Sequence, residues 1–209
     1  MALIACPSRY VPKAVIGDLD SVSRSSLEYY GPLGTEIVHY LDQDTNDLEK
    51  CFKYLREKCH ITPGDSVIVL GSLGGRFDQE MANINAVLKH YLAMPTSPPR
   101  LAPPDERPTS GIFGTLGVVL VSEESLVSVL MPTAPGHPHV IYRDEARELP
   151  TCGLIPLFGA SEVITTGLQW NVTGPLQFGS LISTSNASLD RVPVTVHCDR
   201  PLVWTRVLR

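Results

Sequence analysis

Ser66-Val67-Ile68-Val69-Leu70-Gly71 is a continuous apolar run, and its surroundings indicate the fold class. A run without alternating polar residues is typical of a strand that is buried on both faces of a parallel sheet. A turn at Pro63-Gly64-Asp65 precedes it, and helical periodicity follows from about Asp78 to Tyr91. The run therefore predicts one strand-and-helix unit of an α/β domain.

The same alternation of strand and helix extends toward the N-terminus. The predicted elements there are a strand at Ala14–Ile16, a helix at Ser23–Tyr30, a strand at Thr35–Tyr40 and a helix at about Asn46–Lys58. One more core strand is predicted at Gly117–Val121. This order predicts an α/β domain over residues 1–124 with a doubly wound, mostly parallel sheet, in which ligands gather at the carboxyl ends of the strands.

From Ser125 onward the helical periodicity disappears, and short β-type runs recur between turns rich in Gly, Pro and Asn. The runs are Leu126–Leu130, His139–Tyr142, Gly153–Pro156, Glu162–Thr166, Ser180–Ser183 and Val192–His197. Their spacing predicts a smaller all-β domain over residues 125–209. The Pro-rich segment at about 94–110 predicts an exposed loop or linker insertion, with a PxxP ligand as the alternative.

Composition and charge exclude several classes of function. The 209 residues are 43% hydrophobic, which is ample for the core of a soluble globular protein. The net charge is −5 and there is no Lys/Arg cluster, which argues against nucleic-acid binding. No apolar run approaches the roughly 20 residues of a membrane span, and the first residues do not resemble a signal peptide, so we expect a cytoplasmic location. The five scattered cysteines indicate reduced thiols rather than disulfides or a zinc site.

Gly17-Asp18-Leu19-Asp20-Ser21 follows the first predicted strand directly. If the strand continues through it, Asp18 and Asp20 point to the same side. Two carboxylates on one side repel each other, and Mg²⁺, which is usually held by one or two carboxylates together with substrate phosphates, fits this spacing. The alternative is that Asp20 or Ser21 caps the following helix.

Two further segments carry groups suited to phosphate chemistry. Asp42-Gln43-Asp44-Thr45-Asn46-Asp47 leads into a helix, and capping explains one Asp or Asn in it but not three carboxylates. Gly71–Gln79 opens another helix; its glycines allow the backbone to approach a phosphate, and Arg76 can bind phosphate oxygens through two N–H groups. It is neither a P-loop nor a dinucleotide fingerprint, so a structural turn is the alternative. Together these segments favour a site for phosphate and metal.

Two segments stand out in the β part, Thr165–Asn171 and Ser183–Asn186. A Trp beside polar residues in a turn, as Trp170 is, is often a half-buried packing residue. The functional alternative is stacking on a flat, cationic ring.

These segments resemble, in order, the motifs of the thiamine pyrophosphokinase family, and most of all its animal form. The motifs are Gly17–Ser21, Asp42–Asp47, Gly74–Gln79, Cys152–Pro156, Thr165–Asn171 and Ser183–Asn186. The resemblance implies an α/β catalytic domain, a β-sandwich domain that helps to bind thiamine, and a homodimer with active sites between subunits. The implied reaction moves the pyrophosphoryl group of ATP to the thiamine hydroxyl and releases AMP.

The resemblance also implies roles for individual residues. Asp18, Asp20 and Asp47 would hold Mg²⁺ against the phosphates, and one of them would assist deprotonation of the hydroxyl. The residues implied at the nucleotide are Asn46, Arg76 and Asp78. Those implied at thiamine are Gln43, Ser185, Asn186 and Trp170, the last from the partner subunit.

The chain departs from the family pattern at three places. Met1 to Lys13 do not resemble the upstream strand and Gly-rich, Asp-containing turn of the family, Asn46 replaces its usual Thr, and the Pro-rich segment has no recognised counterpart. A catalytically impaired, truncated isoform that binds thiamine, thiamine diphosphate or a full-length partner is therefore the alternative function. A metal-dependent phosphohydrolase that uses the same acidic strand ends is a third hypothesis.

Overall fold

The computed structural model describes residues 10–61, 65–94 and 117–209. The chain divides into two units, Met1–Ile61 and Thr62–Arg209. The predicted Pro-rich insertion and the turn at Pro63-Gly64 lie outside the described residues. The predicted division at residues 124 and 125 stays a prediction.

Residues 10–61, the described part of the first unit, form one parallel strand pair and two α-helices. In chain order they are β1 (Ala14–Gly17), α1 (Arg24–Tyr30), β2 (Glu36–His39) and α2 (Asp47–Lys58), with a short 3₁₀ helix at Gly31–Leu33. β1 pairs with β2 in parallel, with Ala14 opposite Glu36. The first turn of α2 is acidic and its last turn is basic, which complements the helix dipole. Sequence analysis predicted all four of these elements within a few residues.

The described residues of the second unit form a mixed six-stranded sheet with one helix, and a further sheet given below. The elements of this part are β3 (Val67–Leu70), α3 (Phe77–Ala93), β4 (Val118–Val121), β5 (Ser125–Leu130), β7 (Glu148–Ile155), β10 (Ser183–Ala187) and β12 (Leu202–Leu208). The strand order is β10-β7-β12-β5-β4-β3. β3 and β4 are parallel, whereas the other neighbouring strands are antiparallel. The sheet therefore joins one parallel pair to an antiparallel ladder.

A four-stranded antiparallel sheet completes the second unit. Its order is β6-β11-β8-β9, formed by His139–Ile141, Val194–Cys198, Ser161–Thr166 and Thr173–Leu176. Buried side chains of both sheets form one hydrophobic cluster, to which Val163 and Val196 contribute from the four-stranded sheet and Leu154 and Trp204 from the six-stranded sheet. The core of this unit therefore contains residues of both sheets.

Two sequence-based expectations about strands were wrong, and two strands were not predicted. β3 was expected to be buried on both faces, but Ile68 is 47% and Leu70 77% exposed, because β3 ends the sheet and its side chains alternate between a partly covered and an open face. The strand expected at Ser180–Ser183 begins only at Ser183. Sequence analysis did not predict β9, which contains Gly174 and Pro175, or β12.

The other expectations about the described residues concern cysteines and membrane spans. Of the five cysteines predicted to be reduced, Cys51, Cys59, Cys152 and Cys198 are free thiols, and Cys6 lies outside the described residues. In the described ranges, no helix combines the length and the apolar character that crossing a membrane requires.

Candidate functional site

Two of the predicted carboxylates in the first unit converge on a buried lysine. Asp18 directly follows β1, and Asp47 is the first residue of α2. Lys50 Nζ lies 3.5 Å from Asp18 Oδ2 and 3.3 Å from Asp47 Oδ1, and the Lys50 side chain is only 3% exposed. The ammonium group therefore bridges two carboxylates that are distant in sequence, and we call these three residues the acidic cluster.

Gly17 allows the acidic cluster to form. A Cβ at this position would lie 3.0 Å from Asp47 Oδ1, closer than side-chain carbon atoms normally come to their neighbours. A residue larger than glycine at the end of β1 would therefore require the Asp47 side chain to shift, and the backbone there has φ of +156°, which other residues rarely adopt.

The period-2 expectation for Asp18 and Asp20 was wrong. β1 ends at Gly17, and Leu19 has a left-handed backbone with φ of 63°, so the chain turns instead of continuing as a strand. Asp18 Oδ1 accepts a hydrogen bond of 3.3 Å from the backbone N–H of Asp20, whose side chain is exposed. The following helix is capped by Ser23, not by Asp20 or Ser21.

Charge pairing within the acidic cluster dominates its electrostatics. Burial lowers the pKa of Lys50, but its hydrogen bonds and charge interactions with Asp47 and Asp18 outweigh burial and raise that pKa above its ordinary value. The hydrogen bond from the backbone of Asp20, together with the charge of Lys50, holds the pKa of Asp18 below its ordinary value. Lys50 is thus a cation and Asp18 an anion at neutral pH.

The acidic cluster has the donors for a divalent cation, although not as a three-carboxylate cage. Within residues 10–61, 65–94 and 117–209, no group of three or more His, Cys, Asp or Glu side chains is placed to hold a metal ion. Asp18 and Asp47 nevertheless point at one positive charge, and Asp47 is 55% exposed, so its oxygens remain accessible. Because Mg²⁺ takes one or two protein carboxylates and completes its shell with phosphates and water, these residues fit it.

The loop between β2 and α2 uses several of its polar groups locally. Asn46 caps α2 by accepting a hydrogen bond of 2.8 Å from Glu49 N–H, so capping accounts for this residue. Asp42 accepts hydrogen bonds of 2.8 Å from the Asp44 backbone and from the Thr45 hydroxyl. Gln43 is exposed in this loop.

The Gly-rich loop of the second unit holds two carboxylates of its own helix. Glu80 Oε1 accepts hydrogen bonds of 2.9 and 3.0 Å from the backbone N–H groups of Gly74 and Gly75. Arg76 binds Asp78 through Nε to Oδ1 at 3.1 Å and Nη2 to Oδ2 at 2.5 Å, and both side chains are largely exposed. The structure thus brings Arg76 and Asp78 together, and both potential phosphate donors of the loop already contact carboxylates.

The second unit also brings Trp170 and Asn186 together. Trp170 is 58% exposed and so counts among the exposed residues, which does not match the expectation of a half-buried packing residue. Asn186 is 4% exposed and hydrogen-bonds the backbone of Trp170, whereas Ser185 is exposed and has a left-handed backbone with φ of 55°. In the part of the chain that the structure describes, no hydrogen bond links these residues to Arg76 or Asp78.

Sequence analysis missed Lys50 and Glu80. A lysine within a helix is usually exposed, and only its position three residues after Asp47 gave a signal, because residues at this spacing share one helix face. Glu80 lies in the first turn of α3, where an acidic residue can reach back to free backbone N–H groups. Both signals are weak without tertiary contacts.

Two family models match successive parts of the chain. Residues 2–95 match "Thiamin pyrophosphokinase, catalytic domain", and residues 138–203 match "Thiamin pyrophosphokinase, vitamin B1 binding domain". The acidic cluster and the Gly-rich loop lie in the first match, and Trp170 and Asn186 lie in the second.

Curated relatives carry the same family name. Thiamine pyrophosphokinase 1 of Arabidopsis thaliana is 37% identical over 207 residues, which are 97% of this chain and 67% of that protein. Thiamine pyrophosphokinase 3 of Oryza sativa subsp. japonica is 39% identical, with coverage of 96% and 68%. Thiamin pyrophosphokinase 1 of Caenorhabditis elegans is 26% identical, with coverage of 84% and 62%. These plant proteins are more similar to this chain than the nematode protein is, so these relatives do not support the expected similarity to the animal form.

Solved structures share the fold. The thiamin pyrophosphokinase of Candida albicans superposes with a TM-score of 0.70 at 18% identity, over 96% of this chain and 74% of that one. The thiamine pyrophosphokinase of Bacillus subtilis superposes with a TM-score of 0.68 at 18% identity, over 95% and 80%. The mixed sheets with few helices therefore match this fold. With the two family models and the Arabidopsis relative, we conclude that the chain belongs to the thiamine pyrophosphokinase family.

Proposed function

We propose that this chain transfers the pyrophosphoryl group of ATP to the hydroxyl of thiamine, giving thiamine diphosphate and AMP. The observation that carries the proposal is the presence, in one chain and in order, of a catalytic and a vitamin B1 binding family model. The acidic cluster and an exposed Trp170 supply suitable chemistry in the corresponding parts of the chain.

In this reaction the hydroxyl oxygen of thiamine forms a bond to the β-phosphorus of ATP. The bond from that phosphorus to the oxygen shared with the α-phosphate breaks, and AMP leaves with the electron pair. The hydroxyl proton passes to a carboxylate, for which Asp18, Asp20 and Asp47 are the proposed acceptors. Such transfers depend mainly on positioning and on neutralisation of the phosphoryl oxygens.

Asp18, Asp20 and Asp47 are the proposed ligands of Mg²⁺. When bound, this ion supplies positive charge to the oxygens of the transferred group. Asp18 and Asp47 already face one cation, Lys50, whose ammonium group keeps the two carboxylates together. Asp20 is exposed next to them and hydrogen-bonds Asp18 through its backbone.

Asn46, Arg76 and Asp78 are the proposed nucleotide-binding residues. Arg76 and Asp78 are 75% and 61% exposed, so the guanidinium group remains accessible to a phosphate although it pairs with Asp78. Asn46 uses its carbonyl oxygen as a helix cap, which leaves its amide N–H groups to donate to a phosphate.

Trp170, Gln43, Ser185 and Asn186 are the proposed thiamine-binding residues. The thiazolium ring of thiamine is flat and cationic, and an exposed indole face attracts such a ring. Gln43 and Ser185 are exposed polar groups that can hydrogen-bond the rest of the substrate.

The finer architecture and the assembly are part of the proposal. The parallel pairs β1–β2 and β3–β4 support a doubly wound α/β domain, and the shared core of the antiparallel strands supports a following β-sandwich. We also propose a cytoplasmic homodimer in which Trp170 of the partner subunit completes each site. Mixing the Asp47→Asn and Trp170→Ala proteins tests this, since mixed dimers regain activity at low thiamine only if sites are shared.

The decisive experiment measures AMP formation from ATP. We expect AMP only when thiamine and Mg²⁺ are both present, with one thiamine diphosphate formed per AMP. Release of inorganic phosphate without thiamine would instead indicate the phosphohydrolase. Thiamine binding without AMP at high protein concentration would indicate the impaired isoform.

A further inference from the structure

Asn186 is buried, yet the structural element it holds presents an exposed aromatic ring. Asn186 is 4% exposed and Trp170 is 58% exposed. We infer that Asn186 is a positioning residue, which fixes the backbone of Trp170 and acts on thiamine only through the indole ring. This inference rests on the proposed thiamine-binding function, and it replaces the direct contact expected for Asn186.

The hydrogen bonds of Asn186 leave no group for a ligand. Its Oδ1 accepts from Trp170 N–H at 3.3 Å and from Ala187 N–H at 2.8 Å. Its Nδ2 donates to Trp170 C=O at 2.8 Å and to Ser183 Oγ at 3.1 Å. A carboxamide has two donor hydrogens and two acceptor lone pairs, and all four are engaged within the protein.

The local shape of β10 directs Asn186 to this position. The pairing of β10 with β7 shifts register between Ser183 and Asn186, where Ser185 adopts its left-handed backbone. Such an irregularity turns the following side chain away from the regular alternation, and it costs backbone energy that other contacts must offset. The four hydrogen bonds of Asn186 form at this irregularity of β10 and can offset that energy.

The turn that carries Trp170 is held on both sides of that residue. Gln169 N–H donates to Ala187 C=O at 2.7 Å, and Asn171 Oδ1 accepts from Leu168 N–H at 3.1 Å. The Trp170 backbone is thereby fixed while its ring stays open to solvent. An aromatic group that is ordered before binding loses less conformational freedom when it stacks on a ligand, so it binds more tightly.

A double-mutant cycle on thiamine KM separates positioning from direct contact. Asn186→Asp keeps the shape of the side chain but removes both donor hydrogens. We expect it to raise the thiamine KM about tenfold, because the Trp170 C=O loses its hydrogen bond from Asn186 Nδ2, and to change the ATP KM less than about twofold. In a Trp170→Ala background the same substitution should have less than about a twofold further effect, because its route of action is gone. A tenfold effect in both backgrounds would show direct contact and overturn the inference.

Two further proteins control for folding and for the size of the change. Ser183→Ala removes one partner of Asn186, and we expect a smaller rise in thiamine KM in the same direction. Asn85→Asp makes the same chemical change on an exposed position of α3 and should leave both KM values unchanged. A rise in thiamine KM for Asn85→Asp equal to that for Asn186→Asp would contradict a specific role of Asn186.

Time-resolved tryptophan anisotropy gives a readout that does not depend on activity. The chain has two tryptophans, and the other one, Trp204, is 2% exposed, so acrylamide quenching and a Trp170→Phe protein identify the signal of Trp170. We expect faster local motion of Trp170 in Asn186→Asp, and unchanged motion would overturn the inference. A third outcome is that Trp170→Ala leaves the thiamine KM unchanged while Asn186→Asp makes the local motion of Trp170 faster. In that case Trp170 does not stack on thiamine, although Asn186 still fixes the Trp170 backbone.

Discussion

The acidic cluster and the turn of Trp170 are stabilised in opposite ways. In the acidic cluster one buried cation, Lys50, is shared by two carboxylates that remain partly exposed. At the turn, a neutral buried amide fixes the backbone and leaves only the ring exposed. The first arrangement holds charges that a bound cation can redistribute, whereas the second fixes a surface before ligand arrives. The two regions should therefore respond differently to substitution and to Mg²⁺.

Removing a carboxylate from the acidic cluster should have the largest effect on catalysis. We expect Asp47→Asn to lower kcat about 1000-fold, the scale seen when one group that stabilises transition-state charge is lost. Asp44→Asn, an exposed neighbour in the same loop, should leave kcat within about twofold, because surface changes of this kind are nearly neutral. AMP formation at saturating substrates measures both, and equal losses would contradict the assignment of Asp47.

Adding a side chain at Gly167, which precedes the turn that carries Trp170, should have the largest effect on stability. A Cβ on Gly167 would lie 2.3 Å from Pro193 C=O, and the backbone there has φ of +77°. We expect Gly167→Ala to lower the free energy of unfolding by about 3 kcal/mol through strain and overpacking.

Gly179 is the matched control for Gly167. Its backbone has φ of +82°, but a Cβ at this position would meet no atom within 4 Å, so Gly179→Ala should cost only the backbone term of about 1 kcal/mol. Urea unfolding measures both proteins. Equal losses would show that close packing at Gly167 contributes nothing.

Removing the shared cation should destabilise the first unit mainly when Mg²⁺ is absent. Lys50→Met leaves Asp18 and Asp47 facing each other without their charged partner, and we expect a loss of about 2 kcal/mol in EDTA. Added Mg²⁺ should restore more stability to Lys50→Met than to the unmodified protein, because a ligand that binds only the folded state stabilises it. Lys58→Met, at an exposed position of the same helix, is the control. Thermal unfolding with no Mg²⁺-dependent difference would contradict the metal assignment.

Replacing the ring should affect one substrate and not the other. We expect Trp170→Ala to raise the thiamine KM about tenfold, the scale of one lost stacking contact, and to leave the ATP KM unchanged. Trp170→Phe should retain part of the stacking, so its thiamine KM should lie between that of the unmodified protein and that of Trp170→Ala. Equal rises in the KM of both substrates in steady-state assays would refute the stacking role.

The smallest expected effect concerns the attachment of α2 to β2. Tyr54 OH donates a hydrogen bond of 2.6 Å to Glu36, and this bond, assisted by burial, raises the pKa of Tyr54 from 10.0 to about 12. The folded state keeps this proton where the unfolded chain loses it, so the stabilisation is complete below pH 10.0 and is lost as the pH rises through about 12. Phenolate absorbance, assigned with Tyr54→Phe, should show a lower pKa in Glu36→Gln. An unchanged titration would contradict the role of Glu36.

Local signals predicted much of the fold. α2 was placed correctly because Asn46 caps it and its apolar positions recur at helical spacing, both of which are properties of neighbouring residues. β3 was recognised as a strand, but the exposure of Leu70 was not, since exposure depends on which elements cover the strand. β9 was missed because Gly174 and Pro175 disfavour a strand, and it forms at the edge of its sheet through pairing with β8.

The geometry of the candidate site departs from the sequence-based expectations in two ways. Asp18 and Asp20 do not lie on one side of a strand, because the left-handed backbone at Leu19 turns the chain there. No residue type in that segment predicts this turn. Lys50 was missed because a helical lysine is usually solvated. Its ammonium group pairs with Asp18, which follows β1, and with Asp47 of its own helix, and only the first of these partners depends on the fold.

The sequence alone determined the order of the described elements, apart from β9 and β12, and the motifs that indicate the family. Periodicity, caps and turn residues act over a few neighbouring positions, so they can be recognised without knowing the fold. Only the tertiary structure decided which groups meet: Lys50 with Asp18, 32 positions apart, and Asn186 with Trp170, 16 positions apart. The physical reason is that such contacts depend on strand register and on how helices pack, and a shift of one residue would replace every partner.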